Sequence, residues 1–285
     1  MPKNAVKVET SSEVDFNKVR KEIKELGYSG PHRLFSEAMI KPFEEEILAF
    51  SSDMFTSDDR SLTNQQRLRQ PVKNMAANVI NQIKKKITLS VADYSRNAIA
   101  HQIFQDLFGN SRCKPCSNFQ DFRINIPNTG LRTGWHQDAE TFFIAGWEHG
   151  KYLNYTMWIS LNGGRETDSL EIVPKSHLTN RLYEQSYANT AKALGDIEPL
   201  FSDYKSVKIV CQPGDVVFLD TLTFHRTVKN ENSDNSARFS MDLRFYDPGI
   251  KNYSYRIDAG LYWRRFLFIL KNVKWINRLF GKRAA

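Results

Sequence analysis

The sequence predicts a mainly β fold, a sandwich or barrel preceded by helices. Three observations carry this. From about Phe119 onward, short segments alternate apolar and polar residues with the period of two that a half-buried strand imposes. Turn signals, Gly163-Gly164 and Pro213-Gly214-Asp215 among them, punctuate these segments without the helices a parallel α/β sheet would need. Before them, the apolar residues recur at helical spacing instead.

Taken in order, residues 1–12 are polar and read as a disordered tail. Phe16, Val19, Ile23 and Leu26 form one helical stripe, which Gly27 closes as a glycine at C′ does. A second helix is predicted over about 36–56, with Ser36 as its cap, and a third over about 95–108 through Ile99, Ile103 and Leu107. Residues 57–95 are polar and basic, and the run Lys84–Lys86 reads as a solvated face. "DFRINIP", "YLNYTMWISLNGG", "VKIVCQPGDVVFLD" and "ARFSMDLRFYD" supply strands. Each also carries polar residues on its second face, which is either solvent-facing or the lining of a hydrophilic cavity. The division that follows is one domain over 13–250, its helical part at 13–118, and a basic amphipathic helix over 251–285.

Composition sets outer bounds. Apolar residues at 41% and charged residues at 25% of 285 suit a soluble globule, and 12% aromatics suit a substantial core. The net charge of +8 suits an anionic partner: nucleic acid, membrane headgroups or an anionic small substrate. Three cysteines argue against a disulfide framework and for a reducing compartment. Cys113 and Cys116 form a CxxC with no second pair or nearby histidine to complete a zinc site, so they read as structural, with a redox role the second reading. The N-terminus lacks an apolar signal segment, and no run of about 18 apolar residues occurs. A cytoplasmic location is the expectation.

The chemistry enters at "TGWHQDAETF". On a strand, His136 and Asp138 would point to one face and could aim at one atom. His225, at the end of the segment "LDTLTFHRT", completes two histidines and a carboxylate. That set leaves three positions of an octahedral metal open, the facial triad of non-haem Fe(II) oxygenases. A dicarboxylate co-substrate would need a fixed cation as well. Arg238 supplies one, and a guanidinium grips a carboxylate through two parallel bonds. Arg244 shares the parity of Arg238 and is a second candidate, and Arg226 a third. His177 reads as bracing a loop rather than as a ligand.

Over residues 14–247 the chain resembles the phytanoyl-CoA dioxygenase-like family of Fe(II)/2-oxoglutarate oxygenases. The resemblance runs through "IKELGYSGPHRLFSEAMIKPFEEEI", "WHQD", "MWISLNGGRETDSLEIVPKSHL", "PGDVVFLDTLTFHRT" and "ARFSMDLRFY", in that order. It departs at Lys175, where a glycine is usual, and over the long excursion 178–206. It implies a double-stranded β-helix (jelly-roll, cupin-like) core. It puts Fe(II) on His136, Asp138 and His225, and the far carboxylate of 2-oxoglutarate on Arg238 with Thr227 beside it. Gln137 and Trp158 would line the co-substrate pocket. O₂ is the second co-substrate and ascorbate a candidate reductant. Because Asp138 is kept, hydroxylation rather than halogenation is implied. The substrate would be a small molecule or a lipid-linked one, walled by "ETFFIAGWEHGKY" and the segments 51–118 and 178–206; no nucleic acid partner is expected. A binding protein that retains the pocket, or a metal-dependent hydrolase, is the alternative.

The end of the chain, "LYWRRFLFILKNVKWINRLFGKRAA" at 261–285, lies outside the resemblance. As a helix it aligns Phe266, Ile269, Leu270, Val273, Ile276 and Phe280, beside seven cations and no acid after Asp258. It reads either as a helix docked on the barrel or as one lying peripherally in an anionic membrane surface.

Overall fold

Asp15 begins the first helix, α1 (Phe16–Leu26), by accepting hydrogen bonds from the amides of Asn17 and Lys18, and Gly27 ends it at φ 86°. Its stripe buries Val19 and Ile23 as the spacing requires. The computed structural model describes residues 14–57, 59–94, 98–116, 120–127, 134–145, 152–183, 205–251 and 255–272. The tail 1–12, the middle of the 178–206 excursion and residues 273–285 lie outside the described residues.

Ser36 stands at the N-cap of α2 (Glu37–Ser51), but its side chain makes no capping bond there. Residues 57–95 hold two helices that their polarity concealed. α3 (Asn64–Leu68) opens on a capping box between Thr63 and Gln66, and α4 is Ala77–Tyr94. α4 buries the narrow stripe Ile80, Ile83 and Ile87, so most of its surface stays polar. The lysine run is only partly solvated, because Lys84 turns in to meet Asp121 at 3.3 Å. α5 (Ala98–Phe108) buries Ile103, Phe104 and Leu107.

The strands are β1 (Tyr28–Arg33), β2 (Lys114–Pro115), β3 (Asp121–Asn125), β4 (Tyr152–Ser160), β5 (Leu170–Ile172), β6 (Arg181–Leu182), β7 (Val207–Ile209), β8 (Asp215–Asp220), β9 (His225–Thr227), β10 (Arg238–Lys251) and β11 (Arg256–Ile257). The major sheet runs β1-β8-β4-β10-β2, all antiparallel, with β3 also pairing β10. The minor sheet is β7-β5-β9. The chain passes from β4 to β5 and from β8 to β9, and each passage changes sheet. Two antiparallel sheets wound together in this way form a double-stranded β-helix, as the resemblance implied.

Strand β10 is the spine, and its two faces differ in kind. Phe239, Met241, Leu243 and Phe245 join the core shared with the helices, where Phe104 stacks on Phe245 with ring centroids 4.0 Å apart. Arg238, Ser240, Asp242 and Arg244 face the other way, and all four are buried. The polar face is therefore the inner face between the sheets, not a solvated one. Within that space Trp158, Val217 and Leu219 of the major sheet meet Leu170 and Ile172 of the minor sheet in a separate apolar cluster. Burying charge in such a place is tolerable only where each charge is paired or held for a ligand.

Candidate active site

His136 and Asp138 reach one point by a route the strand expectation did not contain. Only His136 is extended: it bridges β9 at His225, each amide donating to the other's carbonyl at 3.0 and 3.1 Å. The chain then turns at Gln137, and Asp138 is the first residue of helix α6 (Asp138–Ala145). Asp138 and Glu140 in its first turn suit the positive end of a helix dipole, which explains the change from strand to helix.

The three side chains meet all the same. One ligand atom from each of His136, Asp138 and His225 lies within 4.8 Å of the other two, and all three residues are buried. Asp138 Oδ1 is 3.6 Å from His136 Nε2 and 4.0 Å from His225 Nε2. The rings are fixed from behind, as His136 Nδ1 contacts the Gly134 carbonyl at 2.8 Å and His225 Nδ1 that of Thr223 at 3.0 Å. A carbonyl can only accept, so both Nδ1 atoms carry a proton, and in each ring Nε2 is the atom left to face a metal. His136 Nε2 is buried with no hydrogen-bond partner, which a metal ion would explain. Burial, with His136 alongside, pushes His225 down to about 4 against the pull of Asp138, so it is neutral near pH 7.

Asp138 is held with equal care. Burial works to raise its carboxyl, but the Arg244 guanidinium beside it prevails and keeps it well below the usual carboxylate range. Oδ2 accepts from Thr156 Oγ1 at 2.6 Å and from Arg244 Nε at 3.0 Å. Oδ1 accepts from Arg244 Nη2 at 3.1 Å and faces the histidines. Oδ2 thus takes two protein hydrogen bonds, while Oδ1 takes one from Arg244 and keeps a side turned to the histidines, where it could ligate. The register explains the grip, because Thr156 of β4 is the direct partner of Arg244 on β10. Arg244 also pairs with Asp242 at 3.1 Å, and Arg123 with Asp242 at 2.9 Å. Thr156, Asp242 and Arg123 were not singled out from sequence. Their only signal was a largely polar second face on neighbouring strands, which does not say that the face is inside.

The three arginine candidates now separate. Arg244 is spent on Asp138 and Asp242. Arg226 points away from His225 and pairs with Glu171 at 2.5 Å, lying over the Trp135 ring. Arg238 is sealed inside with no carboxylate at ion-pair distance among the described residues. Its Nη1 donates to Ser240 Oγ at 2.7 Å, its Nε has no partner, and it lies 5.3 Å from the Trp158 ring centroid. Burial pushes its pKa down, yet a guanidinium keeps its charge in proteins. Thr227 is buried two residues after His225, hence on the same side of β9.

Gln137 is placed otherwise than the resemblance implied. Its amide nitrogen donates to the carbonyls of Arg181 and Leu222 at 2.9 and 2.8 Å, and its oxygen accepts from the Tyr183 amide at 2.9 Å. It ties loops together, because the turn between His136 and Asp138 swings it off their side. His177 Nε2 contacts the Lys24 carbonyl at the end of α1, 3.0 Å away, as a loop brace would.

Residues 23–239 match the model of the phytanoyl-CoA dioxygenase (PhyH) family. The chain belongs to that family. As a member it is a non-haem iron, 2-oxoglutarate-dependent oxygenase. Its fold is also that of several solved structures. The epimerase SnoN of nogalamycin biosynthesis is 16% identical, with 86% of this chain and 88% of that one covered at a TM-score of 0.53. EvdO2 from Micromonospora carbonacea var. aurantiaca, solved with 2-oxoglutarate, is 16% identical, covering 83% and 92% at 0.54. EctD from S. alaskensis, solved with 2-oxoglutarate and 5-hydroxyectoine, is 14% identical, covering 85% and 80% at 0.54. At such identities the likeness concerns the fold. No curated protein sequence matches.

Proposed function

We propose that this oxygenase hydroxylates an unactivated C–H bond of a small-molecule or lipid-linked substrate while 2-oxoglutarate is decarboxylated to succinate and CO₂. The observation that carries the co-substrate is Arg238: a guanidinium buried on the same inner face of β10 as Asp242 and Arg244, with no carboxylate at ion-pair distance among the described residues. A cation in that position calls for an anion from outside the protein.

When bound, the iron and 2-oxoglutarate supply the activation of O₂ that no side chain can provide. The chain's part is to hold and exclude. His136 and His225, protonated at Nδ1, offer Nε2; Asp138 offers Oδ1 while Thr156 and Arg244 hold Oδ2. With one carboxylate oxygen and two imidazoles as ligands, an iron ion held here would keep room for co-substrates. Arg238 fixes the far carboxylate of 2-oxoglutarate with Thr227 beside it, and Trp158 covers the guanidinium and keeps water off it.

The test is succinate formation with Fe(II) and 2-oxoglutarate across a metabolite panel, followed by labelled O₂ with whichever compound stimulates turnover. One labelled oxygen atom in that product supports hydroxylation. A stimulated product without label, or one that differs only in stereochemistry, overturns it.

A further inference from the structure

The helix α7 (Ala259–Asn272) packs on α6 through the side that carries Leu261, Arg264 and Arg265. Leu261 is buried against Ala139, Leu182 and Leu222. Arg264, one turn on, pairs with the buried Glu140 of α6, and Arg265 lies over the Phe143 ring at 5.1 Å. What faces outward is apolar: Tyr262 is 57% exposed, Trp263 61%, Phe266 48%, Leu267 38% and Ile269 46%. At 3.6 residues per turn, Ile269, Tyr262, Phe266, Leu270, Trp263 and Leu267 form a continuous arc of about 160°. A helix on an ordinary soluble surface is arranged the other way round, with its cations in water and its stripe in the core. Exposed apolar surface of this extent marks a site of attachment.

The charge pattern says what attaches. Past the apolar stretch come Lys271, Lys274, Arg278, Lys282 and Arg283, and no acidic residue follows Asp258. A second copy of the chain would bring these cations against their own kind. A lipid surface with anionic headgroups uses both features, taking the apolar face into its boundary layer and the cations among its headgroups. Trp263 and Tyr262 suit that boundary, being apolar with one polar end.

We propose that α7 docks the protein on an anionic membrane surface, with Tyr262, Trp263, Phe266, Leu267 and Ile269 entering the boundary between headgroups and acyl chains. The proposal is independent of the substrate and the reaction. It is tested with the full chain and vesicles of phosphatidylcholine alone or mixed with phosphatidylserine, read by co-sedimentation and tryptophan fluorescence. The expected result is binding to the mixed vesicles, weakened by salt, with a blue-shifted emission. The pair Trp263→Ser and Phe266→Ser, both exposed, lowers partitioning at least tenfold and leaves succinate formation in solution unchanged. Lys274→Gln with Arg278→Gln lowers it roughly thirtyfold at ~1 kcal/mol per cation. Absence of binding at low salt overturns the proposal, as does binding that the Trp263/Phe266 pair leaves intact. So does self-association that this pair abolishes while vesicles are ignored, which would make the occupant a second copy.

Discussion

Asp138 is in contact with His136, His225, Thr156 and Arg244 at once, so substitutions around it should have distinct signatures. His136→Ala, Asp138→Ala and His225→Ala are each expected to lose iron retention and turnover with the circular dichroism spectrum preserved. Metal analysis after gel filtration checks this, and near-normal turnover in His225→Ala would overturn the assignment. Arg238→Ala should act on the co-substrate alone. Losing a buried charge-assisted pair costs about 2–5 kcal/mol, so the 2-oxoglutarate requirement should rise tens- to thousands-fold while iron is retained. Arg244→Ala should act elsewhere: it strips two buried carboxylates of their shared cation, a loss of about 3–5 kcal/mol in stability and of iron retention. Denaturation and metal analysis of the two variants separate the roles. An Arg244→Ala protein with unchanged stability and only a raised 2-oxoglutarate requirement would exchange them.

At the scale of elements, β10 separates structure from chemistry by parity. Its odd residues from Phe239 to Phe245 fill the core, and its even residues from Arg238 to Arg244 form the buried polar face of the candidate site. Phe245→Ala, which removes a fully buried ring stacked on Phe104, should cost about 3–5 kcal/mol in denaturant unfolding. The inner face is untouched, so the 2-oxoglutarate requirement of the protein that remains folded should match wild type. A changed requirement would mean that the two faces are coupled. This parity was legible from "ARFSMDLRFYD" alone. What the pattern could not supply was the partner of each face, since alternation reads the same whether the polar side meets water or a second sheet.

For the molecule as a whole, the cysteines report on integrity. All three are free and buried, Cys113 and Cys116 of the CxxC included. Burial pushes the Cys113 thiol up to about 11 and that of Cys211 to about 12, and raises Cys116 further. Thiolate being the reactive form, none should titrate with a disulfide reagent at pH 8 until the protein unfolds, when all three should. Fast reaction of one thiol in the native protein would show an opening of the fold near it.

Local periodicity and the order of motifs determined much by themselves: the helices at 16–26 and 98–108, the four strand-bearing segments, and His136, Asp138 and His225 as three side chains that come together. These were readable because each depends on residue type and on spacing along the chain. Tertiary structure alone decided the rest. It put Asp138 on a helix, because the end of a helix is favourable for its charge in a way strand parity does not express. It gave Arg244 to Asp138 and left Arg238 without an ion pair among the described residues, a choice that hangs on the register of β4 against β10. And it turned the apolar face of α7 outward, since amphipathicity tells that a helix has two sides but not which of them its neighbour takes. That is settled by Glu140, buried on α6 and needing a cation, which draws Arg264 inward.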